Sequence, residues 1–352
     1  MTSTTQTFET VPLRPHTPAP KRDALEACSL RLVSVLLILT GCAHMPMRGH
    51  SRPPLPVPPP LIERYHIPDA TIREDQTERH TLPDYRLRCL TLHLDHADNK
   101  PLDPIAPNQP IDIELYETRR AGRRPAILVS PILGGSYPTE RSFCRFFARQ
   151  GFHAVLVHRE KIDFGSDRGA VYVEEMLARA VITNRVVIQW MATQPAIDPE
   201  RLGLFGISLG GIVGIMTAAV EPSLNAHVIA LTGGSIADIF RTTSDPTLTI
   251  PRNRYLERTA STTEQLCASL QDTVNTDPLR LAAYVDPASI LFITARFDRT
   301  IRPRYGLQLW RALGEPELVA LPSGHYSAII WLPYIRRATI RFFRRRFDWP
   351  SE

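Results

Sequence analysis

At 352 residues with 43% apolar side chains, the chain is long enough to bury a sizeable core, which excludes a disordered or fibrous protein. Its formal charge is only +5, from 41 basic and 36 acidic residues, and no basic stripe interleaved with aromatics occurs, which excludes nucleic acid as the partner. Five cysteines are too few for a disulfide-framework fold and the histidines show no metal-ligand spacing, so neither a metal nor another cofactor is expected.

Residues 1–41 do not read as fold. Lys21, Arg22 and Arg31 precede Leu32-Val33-Ser34-Val35-Leu36-Leu37-Ile38-Leu39, an apolar run too short to span a bilayer but of the length of a secretory-signal core. The next residues, Leu39-Thr40-Gly41-Cys42, resemble the bacterial lipobox. That resemblance implies a lipoprotein signal peptide over 1–41 and a diacylglycerol on the Cys42 thiol. With Ala43 following rather than an aspartate, it also implies passage to the outer membrane, facing the periplasm. The alternatives are an ordinary signal peptide with a chance cysteine, or a short membrane anchor. Residues 42–62 are rich in proline and read as an extended, semi-rigid tether with too few N–H donors for helix or sheet. The folded domain is then expected over 63–352. It retains Cys89, Cys144 and Cys267, enough for at most one disulfide.

Residues 61–84, with Pro68, Pro83 and many charges, read as an irregular strap. Alternation at residues 85–94 and 111–116 predicts two half-exposed, antiparallel strands at one edge of a sheet. Continuous apolar runs at 126–129, 153–157, 202–205, 228–231, 290–295 and 318–321 then predict strands covered by helices on both faces. Helices are expected near 140–150, over 171–193, where apolar residues recur at helical spacing, and from about 326 to 345. Residues 235–287 interrupt the alternation with helical sequence. They form either a cap over the site or helices on the flank of the sheet.

The chemistry centres on Gly206-Ile207-Ser208-Leu209-Gly210, placed between the run 202–205 and a helix-like stretch at 211–219. Strand, sharp turn and helix with a hydroxyl at the apex make a nucleophile elbow, in which the glycines permit close backbone approach. Asp298 follows the run 290–295, and Ser323-Gly324-His325 follows the run 318–321. The order Ser208, Asp298, His325, each just past a strand's C-terminal end, puts three reactive groups at the sheet edge where open parallel sheets carry their sites. Asp238, after the preceding strand, is the reserve acid.

In these features residues 85–347 resemble the α/β-hydrolase superfamily. Ile197-Asp198-Pro199-Glu200-Arg201 leading into the elbow strand is similar to the dienelactone hydrolase and prolyl-oligopeptidase-like branch. The resemblance implies a mostly parallel central sheet of about eight strands with helices on both faces. It departs from many members at Ser130-Pro131-Ile132-Leu133-Gly134-Gly135, where they begin His-Gly. On this reading Ser208 is the nucleophile, His325 the base and Asp298 its orienting acid. The N–H of Leu209, with that of Ile132 or Leu133, would stabilise the oxyanion. The expected substrate is a small-molecule ester or, second, an amide or small peptide, and the membrane is the other partner, through the lipid anchor. A catalytically idle envelope scaffold is the competing class.

Overall fold

A computed structural model describes residues 44–47, 53–67, 69–96, 110–160, 162 and 167–350. Cys42 and the segment before it lie outside the described residues. Ten strands form one sheet: β1 (His44–Met45), β2 (Ala70–Thr81), β3 (Tyr85–His96), β4 (Ile111–Thr118), β5 (Arg124–Ser130), β6 (His153–Val157), β7 (Ile197–Ile207), β8 (Leu224–Ala230), β9 (Ile290–Ala295) and β10 (Glu317–Leu321). Their spatial order is β1-β10-β9-β8-β7-β5-β6-β4-β3-β2. The six strands from β10 to β6 are mutually parallel, and β4, β3 and β2 extend that sheet antiparallel at one edge.

The helices are α1 (Pro59–Arg64), α2 (Pro138–Arg149), α3 (Gly169–Thr193), α4 (Leu209–Val220), α5 (Ile236–Thr242), α6 (Pro246–Thr259), α7 (Thr263–Thr273), α8 (Pro278–Leu281), α9 (Pro303–Ala312) and α10 (Leu332–Arg346). The continuous apolar runs have a simple cause. Along β5, Ala126 and Leu128 join a core with α3, α4 and α7, while Ile127 and Val129 join the opposite one with Phe143 and Phe147 of α2 and Phe343 of α10. Successive side chains point to opposite faces, so a strand covered on both sides must be apolar throughout.

Three expectations need correction. The sheet has ten strands among the described residues rather than about eight, the additions being β1 and β2. The segment read as an irregular strap contains β2, a twelve-residue edge strand paired along its length with β3. Beyond Ala70 and Ile72, which pack against the core, its sequence ATIREDQTERHT shows no apolar alternation because the rest of the strand is exposed. A charge-rich edge also resists pairing with another chain. The edge is tied down by Trp190 of α3, whose indole N–H donates to Glu74 at 2.7 Å.

The stretch read as an extended, semi-rigid tether joins both sheet and helix in part. His44 and Met45 pair with Val319 and Leu318 of β10, and the Leu55 N–H donates to Ala283 O at 2.9 Å. Proline at the first positions of α1 is compatible with a helix because those N–H groups have no intrahelical partner. The helix is followed by Tyr65, fully buried, whose hydroxyl meets Thr276 Oγ1 at 2.9 Å. Arg64 pairs with the buried Glu174 of α3, which also accepts from Thr276 N–H at 2.8 Å.

A fourth difference concerns β4, which is largely buried rather than half exposed. Glu114 is enclosed there, and burial alone would push its carboxyl up. Hydrogen bonds from His158, Arg141 and Tyr116 outweigh burial and hold it at about 2. Cys89, Cys144 and Cys267 are free thiols. Among the described residues no helix is long and apolar enough to cross a membrane.

His227 of β8 makes acid stability testable. It is 2% exposed, Nδ1 lies 3.3 Å from Ser289 O, and burial pushes the imidazole down to about 4. The unfolded chain protonates this histidine near pH 6.5, the folded protein only near 4. The neutral folded form is therefore at full advantage above pH 6.5, and stability falls as pH drops from 6.5 towards 4, by on the order of 3 kcal/mol. Urea unfolding at pH 7.5 and 4.5 should show this loss in the wild type and a smaller one in His227→Leu. Equal losses in both proteins would contradict it.

Candidate active site

Ser208 sits where β7 turns into α4, with φ 54° and ψ −121°, a region L-residues rarely occupy. The turn is held by the Ser208 N–H, which donates to Ala230 O of β8 at 2.9 Å. Both glycines of the pentapeptide are required by backbone proximity. A Cβ at Gly206 would stand 2.3 Å from Gly210 O, and one at Gly210 would stand 2.2 Å from Ser130 O. The strain therefore belongs to a serine carried at the apex of an over-packed turn.

The three side chains singled out from the sequence come together. His325, on the turn after β10, places Nε2 3.2 Å from Ser208 Oγ and Nδ1 2.7 Å from Asp298 Oδ2. Asp298 is 3% exposed in its side chain, and its other oxygen accepts the N–H groups of Thr300 at 2.8 Å and Ile301 at 2.9 Å. That turn fixes the carboxylate before the histidine meets it. With Nδ1–H donating to Asp298, Nε2 is free to accept the Ser208 hydroxyl proton. Asp238, the reserve acid, is engaged elsewhere. It accepts from Ser235 Oγ at 2.6 Å and pairs with Arg241 at 2.9 Å.

The oxyanion side is corrected in one respect. Leu209 opens α4, so its N–H is one of the groups without an intrahelical partner at the helix's N-terminal end. The Ile132 N–H, however, donates to Glu140 Oε1 at 2.7 Å, which leaves Leu133 as the loop's candidate donor. Glu140 lies in the first turn of α2 and is 2% exposed, and burial pushes its carboxyl up. Arg159 holds the same loop from its carbonyl side, donating to Ile132 O at 2.8 Å and to Pro131 O. Its backbone N–H donates to the Tyr137 hydroxyl at 2.9 Å. Sequence reasoning missed both Glu140 and Arg159, since the contact between a helix carboxylate and a loop amide eight residues earlier leaves no periodic signal.

Asp245 was also missed. It caps α6, accepting from Thr247 N–H at 2.9 Å, and also accepts from Thr300 Oγ1 at 2.9 Å and from the Tyr326 hydroxyl. Burial would raise this carboxyl, but the bonds from Thr247 and Tyr326 outweigh it and hold it at about 2. It thereby links α6 to the Asp298 turn and to the residue beside His325. Asp245-Pro246 is a legible helix start, and the cap could have been found that way.

Above Ser208 and His325 lies a cavity of about 1120 Å³. Ile236, Ile239 and Phe240 of α5 and Leu248 of α6 line it, so part of the 235–287 segment faces the site. The rest packs elsewhere: Leu266, Cys267 and Leu270 of α7 join the core on the α3 face of the sheet.

The mostly parallel sheet with helices on both faces is shared with known structures. Acetyl xylan esterase from Paenibacillus sp. R4 superposes with a TM-score of 0.61 at 12% identity, covering 82% of this chain and 92% of that one. The chain has the α/β-hydrolase fold. Acetyl xylan esterase 1 from Thermoanaerobacterium sp. JW/SL YS485 shares this fold with it, with a TM-score of 0.53 at 14% identity, covering 82% and 95% of the two chains. The prolyl oligopeptidase family matches residues 184–319, a span of this α/β-hydrolase fold that holds Ser208 and Asp298 and stops short of His325. An uncharacterized protein of Mycobacterium tuberculosis (strain CDC 1551 / Oshkosh) is 25% identical over 169 residues, covering 46% of this chain and 38% of the relative's own length.

Proposed function

We propose that the protein is a serine hydrolase that cleaves carboxylic esters through an acyl-enzyme. The observation that carries this reading is the chain of contacts from Asp298 through His325 to Ser208 at the floor of a largely apolar cavity. A serine hydroxyl is a poor nucleophile at neutral pH and needs a base within hydrogen-bond reach. His325 Nε2 takes its proton as Oγ attacks the ester carbonyl. The resulting oxyanion is met by the N–H groups of Leu209 and Leu133, each such donor being worth about 3 kcal/mol in the transition state. His325 then returns the proton to the departing alkoxide, leaving Ser208 acylated. Water, deprotonated by the same nitrogen, releases the acid and restores the serine.

The prolyl oligopeptidase match favours a second reading, a peptidase or amidase. The ester reading is preferred because the cavity walls are mainly aliphatic and aromatic, and a peptide brings backbone polar groups that want partners. Turnover of a short-chain p-nitrophenyl ester beside a panel of aminoacyl amides, with fluorophosphonate labelling of Ser208, separates the readings. Preferential amide cleavage would favour the peptidase. Neither turnover nor labelling would favour an idle scaffold.

We also propose that Cys42 carries a lipid and anchors the protein in a bacterial envelope, with α5 and α6 serving as the cap. Palmitate should be incorporated into the wild-type protein and not into Cys42→Ala. Equal incorporation in both would defeat the anchor.

A further inference from the structure

We infer that the ester this site accepts carries a long apolar acyl chain, an inference that rests on the esterase reading above. The first observation is size. The cavity, about 1120 Å³ and open to solvent, lies above the roughly 300–1,000 Å³ typical of ligand pockets, so a small acetyl ester would leave much of it unfilled.

The second observation is the placement of the walls. On one side of Ser208 they come from Val173, Met176 and Leu177 of α3, Ile212 of α4 and Ile236 of α5. Across the site they come from Phe143 of α2, Ala328 and Ile335, which belong to the core on the opposite face of the sheet, Ala328 standing three residues after His325. His325 must hand its proton to the leaving oxygen, so the alcohol portion lies on the histidine's side. The α3–α5 side is then left for the acyl chain. Those five residues offer no hydrogen-bonding group, and the charged Arg159 and Glu160 that also line the cavity are engaged with the Ile132 and Pro131 carbonyls and with Arg179, respectively, which disfavours a sugar, a peptide or a charged acyl group there.

The third observation lies at the mouth. Tyr326 and Ile329, which both line the cavity, are each 68% exposed, on the segment that carries His325. Large apolar side chains left in water beside an apolar cavity are a binding feature rather than a packing one. They give an apolar ester an apolar approach from solvent to the histidine's side of Ser208.

The test is a series of p-nitrophenyl esters from acetyl to dodecanoyl, assayed on the full chain below the micellar concentration of each. Each methylene that reaches the α3–α5 wall raises kcat/KM by about fourfold, equivalent to about 0.8 kcal/mol. The dodecanoyl ester is therefore expected to exceed the acetyl ester by at least about a hundredfold. Met176→Trp, which fills the acyl side, should lower the dodecanoyl-to-butyryl ratio of kcat/KM by about tenfold or more, with an unchanged urea midpoint showing that the variant folds. A wild-type optimum at acetyl, or a ratio unmoved by Met176→Trp in the folded variant, would overturn the inference while leaving the esterase reading intact. Absence of turnover across the whole series, with no fluorophosphonate labelling, would overturn the esterase reading itself.

Discussion

Ser208→Ala should reduce kcat for a p-nitrophenyl ester by on the order of 10⁴-fold or more, with little change in KM. Alanine removes the oxygen proposed to form the acyl-enzyme and leaves the cavity and the Leu209 and Leu133 N–H groups in place, so substrate should still bind. The elbow should survive the change. Its geometry is set by the Ser208 N–H bond to Ala230 and by the close approach of Gly210 to Ser130, neither of which involves the hydroxyl. An unchanged urea midpoint would show this, and fluorophosphonate labelling should vanish. Turnover equal to that of the wild type would remove Ser208 from the chemistry.

Asp298→Asn should cost about 10⁴ in kcat while the protein stays folded. The asparagine carbonyl can still accept from the Thr300 and Ile301 N–H groups, so the turn after β9 is preserved. Its amide, however, donates to His325 Nδ1 instead of accepting from it. The imidazole then carries its proton on Nε2, the atom 3.2 Å from Ser208, and cannot accept the serine proton. The control is Asp238→Asn, expected to change kcat by no more than a few-fold because Asp238 faces Ser235 and Arg241. A loss of less than tenfold in Asp298→Asn, or a larger loss in Asp238→Asn, would reassign the acid.

Much of this arrangement was legible beforehand because it is local. The elbow is a pentapeptide between a strand and a helix, and Asp298 and His325 each follow an apolar run. Covered strands announce themselves by continuous apolarity, which is why β5 to β10 stand close to where the runs placed them. Legibility failed where the structural role comes from a distant partner. β2 is polar over nearly all of its length beyond Ile72, and its pairing to β3 makes it a strand. His44 and Met45 carry no strand pattern, and they are ordered by the free edge of β10. Ile132 was offered as an oxyanion donor because nothing nearby shows that Glu140 takes its N–H.

The sequence by itself determined the order of the three reactive groups, the strand edge on which they stand and the class of sheet that carries them. Each of these follows from contacts among near neighbours in the chain. Tertiary structure alone decided which acid meets His325, which amide is left for the oxyanion and how large a chamber lies above Ser208. Those outcomes depend on side chains brought together across separations such as the 117 residues between Ser208 and His325. Over such distances no periodicity in the chain encodes a contact, and only the packing of α2, α3, α5 and α10 around the sheet edge creates it.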